Sequence, residues 1–119
     1  MEGFPIDCTG DLVEGDVIRF EEVVYEDVDG KPEPVGIRII VAQVVREDYD
    51  LENRRFLFWL RIIFCEGADS YPVGLEIERQ ARSLYRKNPT RRPWSDEGAR
   101  AEIRIGIAAS GRRRGMAPR

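Results

Sequence analysis

The sequence contains no histidine and only two cysteines, Cys8 and Cys65, which stand far apart. The absence of histidine removes the commonest general base, the Ser–His and Cys–His nucleophile pairs and the commonest metal ligand. A structural zinc site needs about four Cys or His ligands, which two cysteines do not supply. We therefore expect two reduced thiols, no cofactor, no metal site and a protein that is not an enzyme.

Long apolar runs are also missing. No stretch approaches the roughly 20 consecutive apolar residues of a membrane span, and residues 1–7 have neither the basic head nor the apolar core of a signal peptide. The 119 residues are 42% hydrophobic and 34% charged, which is typical of a globular protein. These features predict a single cytoplasmic β-rich domain over residues 1–110, a disordered basic tail over residues 111–119, and no membrane partner.

The most apolar part of the chain is the stretch from Arg54 to Cys65. Read with a period of two, it is apolar on both faces: Phe56, Phe58, Leu60, Ile62 and Phe64 on one, and Leu57, Trp59, Arg61, Ile63 and Cys65 on the other. A strand with one face in water alternates apolar and polar residues, so this central strand requires cover on both sides. A second layer, a helix or another protein chain supplies it, and Leu57, Trp59 and Ile63 are the interface in the last case.

Two further strands are predicted before the central one, over Val17 to Glu26 and over Ile37 to Arg46. The turn signal Asp29-Gly30 and two prolines indicate a loop over residues 27–36, and an acidic segment indicates a second hairpin loop over residues 47–53. Connections this short suit antiparallel hairpins and not crossovers. The three strands are therefore predicted to form a meander.

After Ser70 the apolar period changes to that of a helix, with one stripe made of Ile77, Ala81, Leu84 and Tyr85. Acidic residues near the start and basic residues near the end agree with the helix dipole. The stripe predicts a helix from Leu75 to Lys87. A strand from Val73 to Arg79 is the alternative, because Val73, Leu75 and Ile77 also alternate.

Residues 101–108 alternate strictly, with Ile103, Ile105 and Ile107 on one face. The pattern predicts a last strand, because three β-branched residues at period two fit a helix less well. A helix start of about one turn is predicted before it, from Trp94. The chain as a whole predicts an α+β fold that is mostly β. We expect a small, strongly curved antiparallel sheet or partly open barrel of four or five strands, with one helix before the last strand.

The net charge of −3 hides a strong polarity along the chain. Residues 1–36 carry eleven acids and two bases, whereas residues 79–119 carry three acids and twelve bases. Every basic residue except Lys31 and Lys87 is arginine, whose planar fork suits phosphate and carboxylate. The predicted nucleic-acid or anion site consists of the basic residues of the last third and one tryptophan that could stack on a base: Arg79, Arg82, Arg86, Lys87, Arg91, Arg92, Trp94, Arg112, Arg113 and Arg114.

These observations favour a small non-enzymatic binding module whose basic last third contacts an anionic partner, with nucleic acid slightly preferred over an acidic protein surface. Two plainer interpretations compete with it. The arginines of residues 79–86 form a solvated ridge or neutralise the chain's own acidic third, and Trp94 packs beside a helix start. The alternative function is a protein-interaction or assembly factor, such as a homodimer, that uses Leu57, Trp59 and Ile63.

Overall fold

The computed structural model describes the backbone of residues 3–109 and the side chains of residues 3–106. Within that range it contains six strands and two helices. They are β1 (Ile6–Asp7), β2 (Val17–Val28), β3 (Lys31–Asp50), β4 (Arg55–Gly67), β5 (Glu76–Gln80), α1 (Ala81–Tyr85), β6 (Thr90–Arg91) and α2 (Glu97–Ala109). The predicted tail over residues 111–119, with Arg112, Arg113 and Arg114, lies outside the described residues.

The six strands form one antiparallel sheet in the order β1-β6-β2-β3-β4-β5. The long strands β2, β3 and β4 follow one another as hairpins, as the meander predicts. β1 and β5 lie at opposite edges of the described sheet and do not pair, so the sheet is open. The predicted mostly β, α+β fold is confirmed, with six strands where the sequence indicated four or five.

The turn between β2 and β3 lies at Asp29-Gly30, where both residues have positive φ, 52° and 81°. Positive φ at both central residues matches the twist of a tight two-residue hairpin. The loop predicted on either side of this turn is wrong, because the ladder continues through Pro32 and Pro34. β3 pairs with β4 only from Arg38 onward, so the prolines stand where β3 has a partner on one side. Proline lacks a backbone N–H, and this is tolerated where a strand is paired on one side only.

A β-bulge at Ile63 decides which side chains of β4 reach the core. Phe64 pairs with Val41, and Ile62 pairs with the next residue of β3, so Ile63 is an extra residue in β4. An extra residue exchanges the two faces of a strand. Cys65 consequently packs against the core, whereas Phe64 is substantially exposed. The predicted assignment of these last two side chains to faces is wrong.

One face of the sheet, which we call the inner face, carries the hydrophobic core. The buried cluster consists of Cys8, Leu12, Ile18, Phe20, Ile40, Ala42, Val44, Phe58, Leu60, Ile62, Ile77 and Leu84. Helix α1 closes this face, since Leu84 is fully buried and the Tyr85 ring meets Phe58 edge to face at 6.0 Å. α1 therefore covers the inner face. The expectation that it covers the second, outer face of the central strand is wrong.

The segment predicted as a helix from Leu75 to Lys87 forms a strand and then a short helix. Glu76–Gln80 is β5, which pairs with β4 and places Ile77 opposite Leu60. The backbone of β4 offers a free edge, and pairing with it outweighs the helical apolar stripe. The alternative prediction of a strand in this segment is correct for residues 76–79.

The prediction of a last strand at residues 101–108 is wrong, because this segment lies in α2, which is 13 residues long and not one turn. Asp96 begins the helix, with its side chain accepting a hydrogen bond from a first-turn N–H at 3.2 Å. Within the described sheet, no strand pairs with this segment. Arg100 and Arg104, which stand one turn apart, instead pair with two aspartates that precede β2. The four-residue spacing of these arginines places both on the helix face that meets the aspartates, and it predicts the structure better than the two-residue spacing of the isoleucines does.

Candidate anion-binding surface

The predicted ridge of arginines is not formed, because Arg79 belongs to β5 and is used inside the fold. Its Nη2 donates hydrogen bonds to a Glu22 carboxylate oxygen and to the Tyr71 hydroxyl, both at 2.9 Å. Arg38 donates to the same carboxylate at 2.8 Å and to the same hydroxyl at 2.9 Å. Glu22 is only 8% exposed. We call these four residues, Glu22, Arg38, Tyr71 and Arg79, the buried charge network.

The buried charge network holds its carboxylate ionised. Burial acts to raise the pKa of Glu22, but the hydrogen bonds and charges of Arg79 and Arg38 outweigh it, so the pKa lies below its ordinary value. Arg38 also stacks on the Tyr71 ring, with its Cζ 4.1 Å from the ring centroid, and donates to the Asp69 carbonyl at 2.7 Å. Both guanidiniums are thus engaged within the sheet, and neither is available to a partner.

Arg91 and Trp94 are likewise used inside the fold. Arg91 donates from both Nη atoms to the Glu97 carboxylate at 2.9 Å, and this pair, with the Trp94 N–H, lowers the pKa of Glu97 to about 2. The Trp94 indole N–H donates to Asp16 at 2.8 Å. Its ring lies so close to Gly15 that a Cβ there would stand 2.9 Å from the ring. These contacts assign Trp94 to packing.

Asp16 and Arg100 are partners that the sequence analysis missed. The Asp16 carboxylate is fully buried, and Arg100 donates to its two oxygens at 2.8 and 2.9 Å. The Val13 N–H donates to it as well, at 3.0 Å. One turn later in α2, Arg104 pairs with Asp11 at 2.9 Å. The four-residue spacing of the two arginines is a visible signal of one helix face, but it does not identify acids some 80 residues earlier.

Some predicted basic residues remain at the surface. Lys87 donates to the carbonyl and the hydroxyl of Ser83 at 3.2 and 3.1 Å. Arg86 and Lys87 border a depression that Glu21 and Glu22 also line, so carboxylates weaken the positive potential there. An anion gains little at this place.

Arg82 and Arg92 stand apart from such carboxylates. Among the described side chains, neither forms an ion pair. Arg92 is exposed beside Phe4, with its Cζ 4.9 Å from the ring centroid. Arg82 is exposed on α1, and it is the one of the two that lies beside further exposed arginines.

Arg82 borders what we call the arginine cleft, a depression of about 390 Å³ between two segments of the chain. The pairing of Leu57 with Gln80 sets the start of β4 beside the end of β5. The turn before β4 consequently meets the first residues of α1. Seven residues line the cleft: Asn53, Arg54, Arg55, Phe56, Gln80, Ala81 and Arg82. Three arginines that converge in this way attract an anion.

Asp50 fixes the turn that presents Arg54 and Arg55. Its oxygens accept hydrogen bonds from the Asn53 side chain at 2.7 Å and from the N–H groups of Asn53 and Glu52, and these bonds lower the pKa of Asp50. Arg54 has a φ of 55°, in the left-handed region that few non-glycine residues adopt. The Arg55 Nε lies 3.6 Å from the Asp50 Oδ2. Counted over the three arginines and this one paired carboxylate, the cleft keeps an excess of two positive charges.

Sequence reasoning identified Arg82 but missed Arg54 and Arg55, which it treated only as the start of the central strand. Two adjacent arginines beside a turn were visible as a signal. Their neighbourhood to Arg82 depends on the β4–β5 register, which the sequence does not reveal.

The outer face of β4 carries the three residues predicted as an interface. Leu57 and Trp59 are partly buried, whereas Ile63 at the bulge is 40% exposed. Phe64 beside it is 39% exposed. Arg46 lies over the Trp59 ring, with its Cζ 5.1 Å from the centroid. On the side of the sheet opposite α1, apolar side chains therefore alternate with charged ones, since Arg61 between Trp59 and Ile63 is half exposed and pairs with Glu76 at 2.7 Å.

The Cys8 thiol lies in the hydrophobic core. Burial, together with the charge of Asp16, raises the pKa of the Cys8 thiol to about 12, and the thiol donates to the Pro89 carbonyl at 3.2 Å. Residues 3–106 contain no group of three or more carboxylate or thiol side chains placed to hold a metal ion. None of the described helices has the length and apolar character needed to cross a membrane.

An open antiparallel sheet with one helix across its inner face defines a small, mostly β domain, and comparison with known proteins identifies its family. Residues 8–94 match the domain of unknown function DUF7699, and the chain belongs to this family. The chain is also similar to the rice (Oryza sativa subsp. japonica) "Zinc finger CCCH domain-containing protein 62", with 29% identity over 105 residues. The match covers 84% of this chain but only 15% of the rice protein. No solved structure matches the chain.

Proposed function

We propose that this domain is a non-enzymatic binding module that contacts nucleic acid, with the arginine cleft as the centre of the contact. The observation that carries the proposal is the convergence of Arg54, Arg55 and Arg82, which come from two segments of the chain; of the three, only Arg55 is paired with a carboxylate among the described side chains. Guanidinium forks bind phosphate oxygens in pairs, so an arginine cluster of this kind suits a phosphate backbone.

Seventeen of the 19 basic residues are arginine, which suits phosphate and carboxylate alike and does not decide between nucleic acid and an acidic protein surface. One further observation favours nucleic acid. The rice relative's name assigns a zinc finger to that longer protein, and some classes of zinc finger read nucleic acid. The acidic β2–β3 hairpin repels the same ligand, so we expect a contact confined to one side of the domain.

The proposed contact is narrower than the basic third of the sequence suggested. Arg79 and Arg91 neutralise carboxylates within the fold, and Trp94 packs against the loop before β2. Of the predicted residues, Arg82 is central to the proposed site, and the remaining ones are peripheral or outside the described range: Arg86, Lys87, Arg92, Arg112, Arg113 and Arg114.

Fluorescence anisotropy with labelled single- and double-stranded oligonucleotides, at several salt concentrations, tests the proposal. We expect binding at low salt that weakens as salt rises, and a triple variant with Arg54, Arg55 and Arg82 changed to glutamine that binds more weakly. For three lost phosphate contacts on a single strand, the slope of log affinity against log salt falls by roughly 2. A triple variant with Arg46, Arg61 and Arg104 changed to glutamine is the matched control, because it removes the same charge from exposed side chains outside the cleft. Absence of binding at low salt rejects the proposal.

A second candidate function rests on the exposed outer face. Ile63 and Phe64 are both about two-fifths exposed on the side of the sheet opposite α1, and partly buried Trp59 lies further along that side, beyond Arg61. Exposed apolar surface of this kind favours a protein partner, including a second copy of the chain. Light scattering after size-exclusion chromatography tests the homodimer. A monomer at all concentrations rejects it, and a dimer that Phe64→Lys dissociates supports it.

A further inference from the structure

The arginine cleft contains more than charge. Besides its three arginines, the lining includes an aromatic ring, Phe56, and two amide side chains, Asn53 and Gln80. The Phe56 ring is held in place by Tyr49, which meets it edge to face with 4.9 Å between the centroids. The Asn53 amide nitrogen is bonded to Asp50, which leaves its carbonyl oxygen as an acceptor. An inorganic anion would bind through the arginines and would not require the aromatic ring or the amide groups.

We infer that the arginine cleft accommodates one nucleotide of an unpaired strand, with its phosphate on the arginines and its base against Phe56. The inference rests on the proposed nucleic-acid function and narrows it to single-stranded ligand. Bases stack on aromatic side chains independently of sequence, and the amides of Asn53 and Gln80 offer a donor and acceptors to a base edge.

The size of the cleft supports a single nucleotide. Its volume of about 390 Å³ is within the range of pockets that hold small ligands. The turn before β4 bounds one side and the start of α1 bounds the other, so the site is a recess and not an open strip. A base inside a duplex is stacked and paired, and cannot enter such a recess without being extruded.

The charge of the cleft also agrees with the inference. A phosphate monoester carries about −1.5 to −2 charges at neutral pH. Three arginines and the carboxylate of Asp50 leave two positive charges, which balance one terminal phosphate. A strand end that bears a monoester is therefore matched more closely than an internal phosphodiester with its single charge.

Titrations of the whole chain by calorimetry and by amide chemical shifts test the inference, with a nucleoside 5′-monophosphate, the corresponding nucleoside and inorganic phosphate as probes. We expect the nucleotide to bind at least about tenfold more tightly than either of the other two. Phe56→Leu is expected to weaken the nucleotide by about fivefold or more while leaving inorganic phosphate unchanged. Arg82→Gln is expected to weaken both phosphate-bearing probes.

Arg61→Gln is the control, because it removes the same charge from a half-exposed side chain outside the cleft, and it should leave all three probes unchanged. Thermal unfolding of each variant establishes that it folds. If inorganic phosphate binds as tightly as the nucleotide, the cleft is a simple phosphate site and the inference is overturned. If oligonucleotides bind through the cleft but nucleotides do not, the inference fails and the proposed function stands. If neither binds, both fail.

Discussion

Replacing Glu22 with glutamine tests the buried charge network most directly. The substitution keeps the shape of the side chain but removes the one negative charge that Arg38 and Arg79 share inside the sheet. Both arginines then remain where water reaches them poorly, with side chains 11% and 20% exposed. The folded state loses the interaction, whereas the unfolded chain loses nothing.

The expected loss follows from the burial of the partners. Removing one member of a buried ion pair costs about 3–5 kcal/mol. We place Glu22→Gln near the lower end, at about 3 kcal/mol, because the glutamine carbonyl still accepts a hydrogen bond and Arg79 is partly solvated. For a chain of this length, such a loss lowers the melting temperature by about 10 °C. Glu21→Gln is the matched control. The Glu21 side chain is itself half exposed, whereas that of Glu22 is buried, and we expect a change of at most about 0.5 kcal/mol.

The pH dependence gives the test a second readout. The pKa of Glu22 in the folded protein lies below its ordinary value of 4.5. Its contribution to stability is therefore complete above about pH 4.5 and is lost as the pH falls through the lower folded-state value. Chemical denaturation from pH 7 to pH 3 should show the difference between the wild type and Glu22→Gln shrinking below pH 4.5. Equal stability of the Glu21 and Glu22 variants at pH 7 would refute the reasoning.

Three other predictions concern the faces of the sheet, a thiol and a glycine. Phe58→Ala should cost about 3–5 kcal/mol and Phe64→Ala no more than about 1.5 kcal/mol in urea denaturation, because Phe58 is buried in the core whereas the bulge turns Phe64 away from it; equal losses would place both rings inside. In a Cys65→Ser variant, Cys8 should resist a thiol reagent at pH 8 until denaturant is added, because burial and Asp16 raise its pKa to about 12; rapid labelling of the folded protein contradicts this. Gly67→Ala should lower the melting temperature by about 8 °C or more, since the φ of Gly67 is 108° and a Cβ there would stand within 3 Å of the β3 backbone. An unchanged melting temperature would contradict this reasoning.

The long meander was predictable because its signals are local. The apolar, β-branched and aromatic residues of β2, β3 and β4 and the Asp29-Gly30 turn act between neighbouring residues, and short connections leave antiparallel hairpins as the natural arrangement. The bulge at Ile63 was not predictable in the same way. A strand apolar on both faces gives the same pattern with or without an extra residue, so the exchange of Phe64 and Cys65 between faces left no trace in the sequence.

The two errors in the C-terminal third share one cause, which is that tertiary partners outweighed local periodicity. Residues 76–80 carry a helical stripe, but they pair with the free edge of β4 and form a strand. Residues 101–108 alternate like a strand, but no strand of the described sheet pairs with them and they form part of α2. The same limit applies to the charges. Which arginines are exposed depends on ion pairs such as Glu22 with Arg79, 57 positions apart, and the sequence offers no means of matching them.

The buried ion pair between Asp16 and Arg100 has a practical consequence for where a fragment of this domain should end. The segment shared with the family ends at Trp94, yet the guanidinium that satisfies a fully buried carboxylate arrives six residues later. A fragment trimmed to the family boundary would leave that carboxylate without its counter-charge, at a cost of about 3–5 kcal/mol. We therefore expect a stable fragment to extend beyond the segment that the family model matches and to include the first turn of α2, whose Arg100 binds the buried Asp16 just before β2.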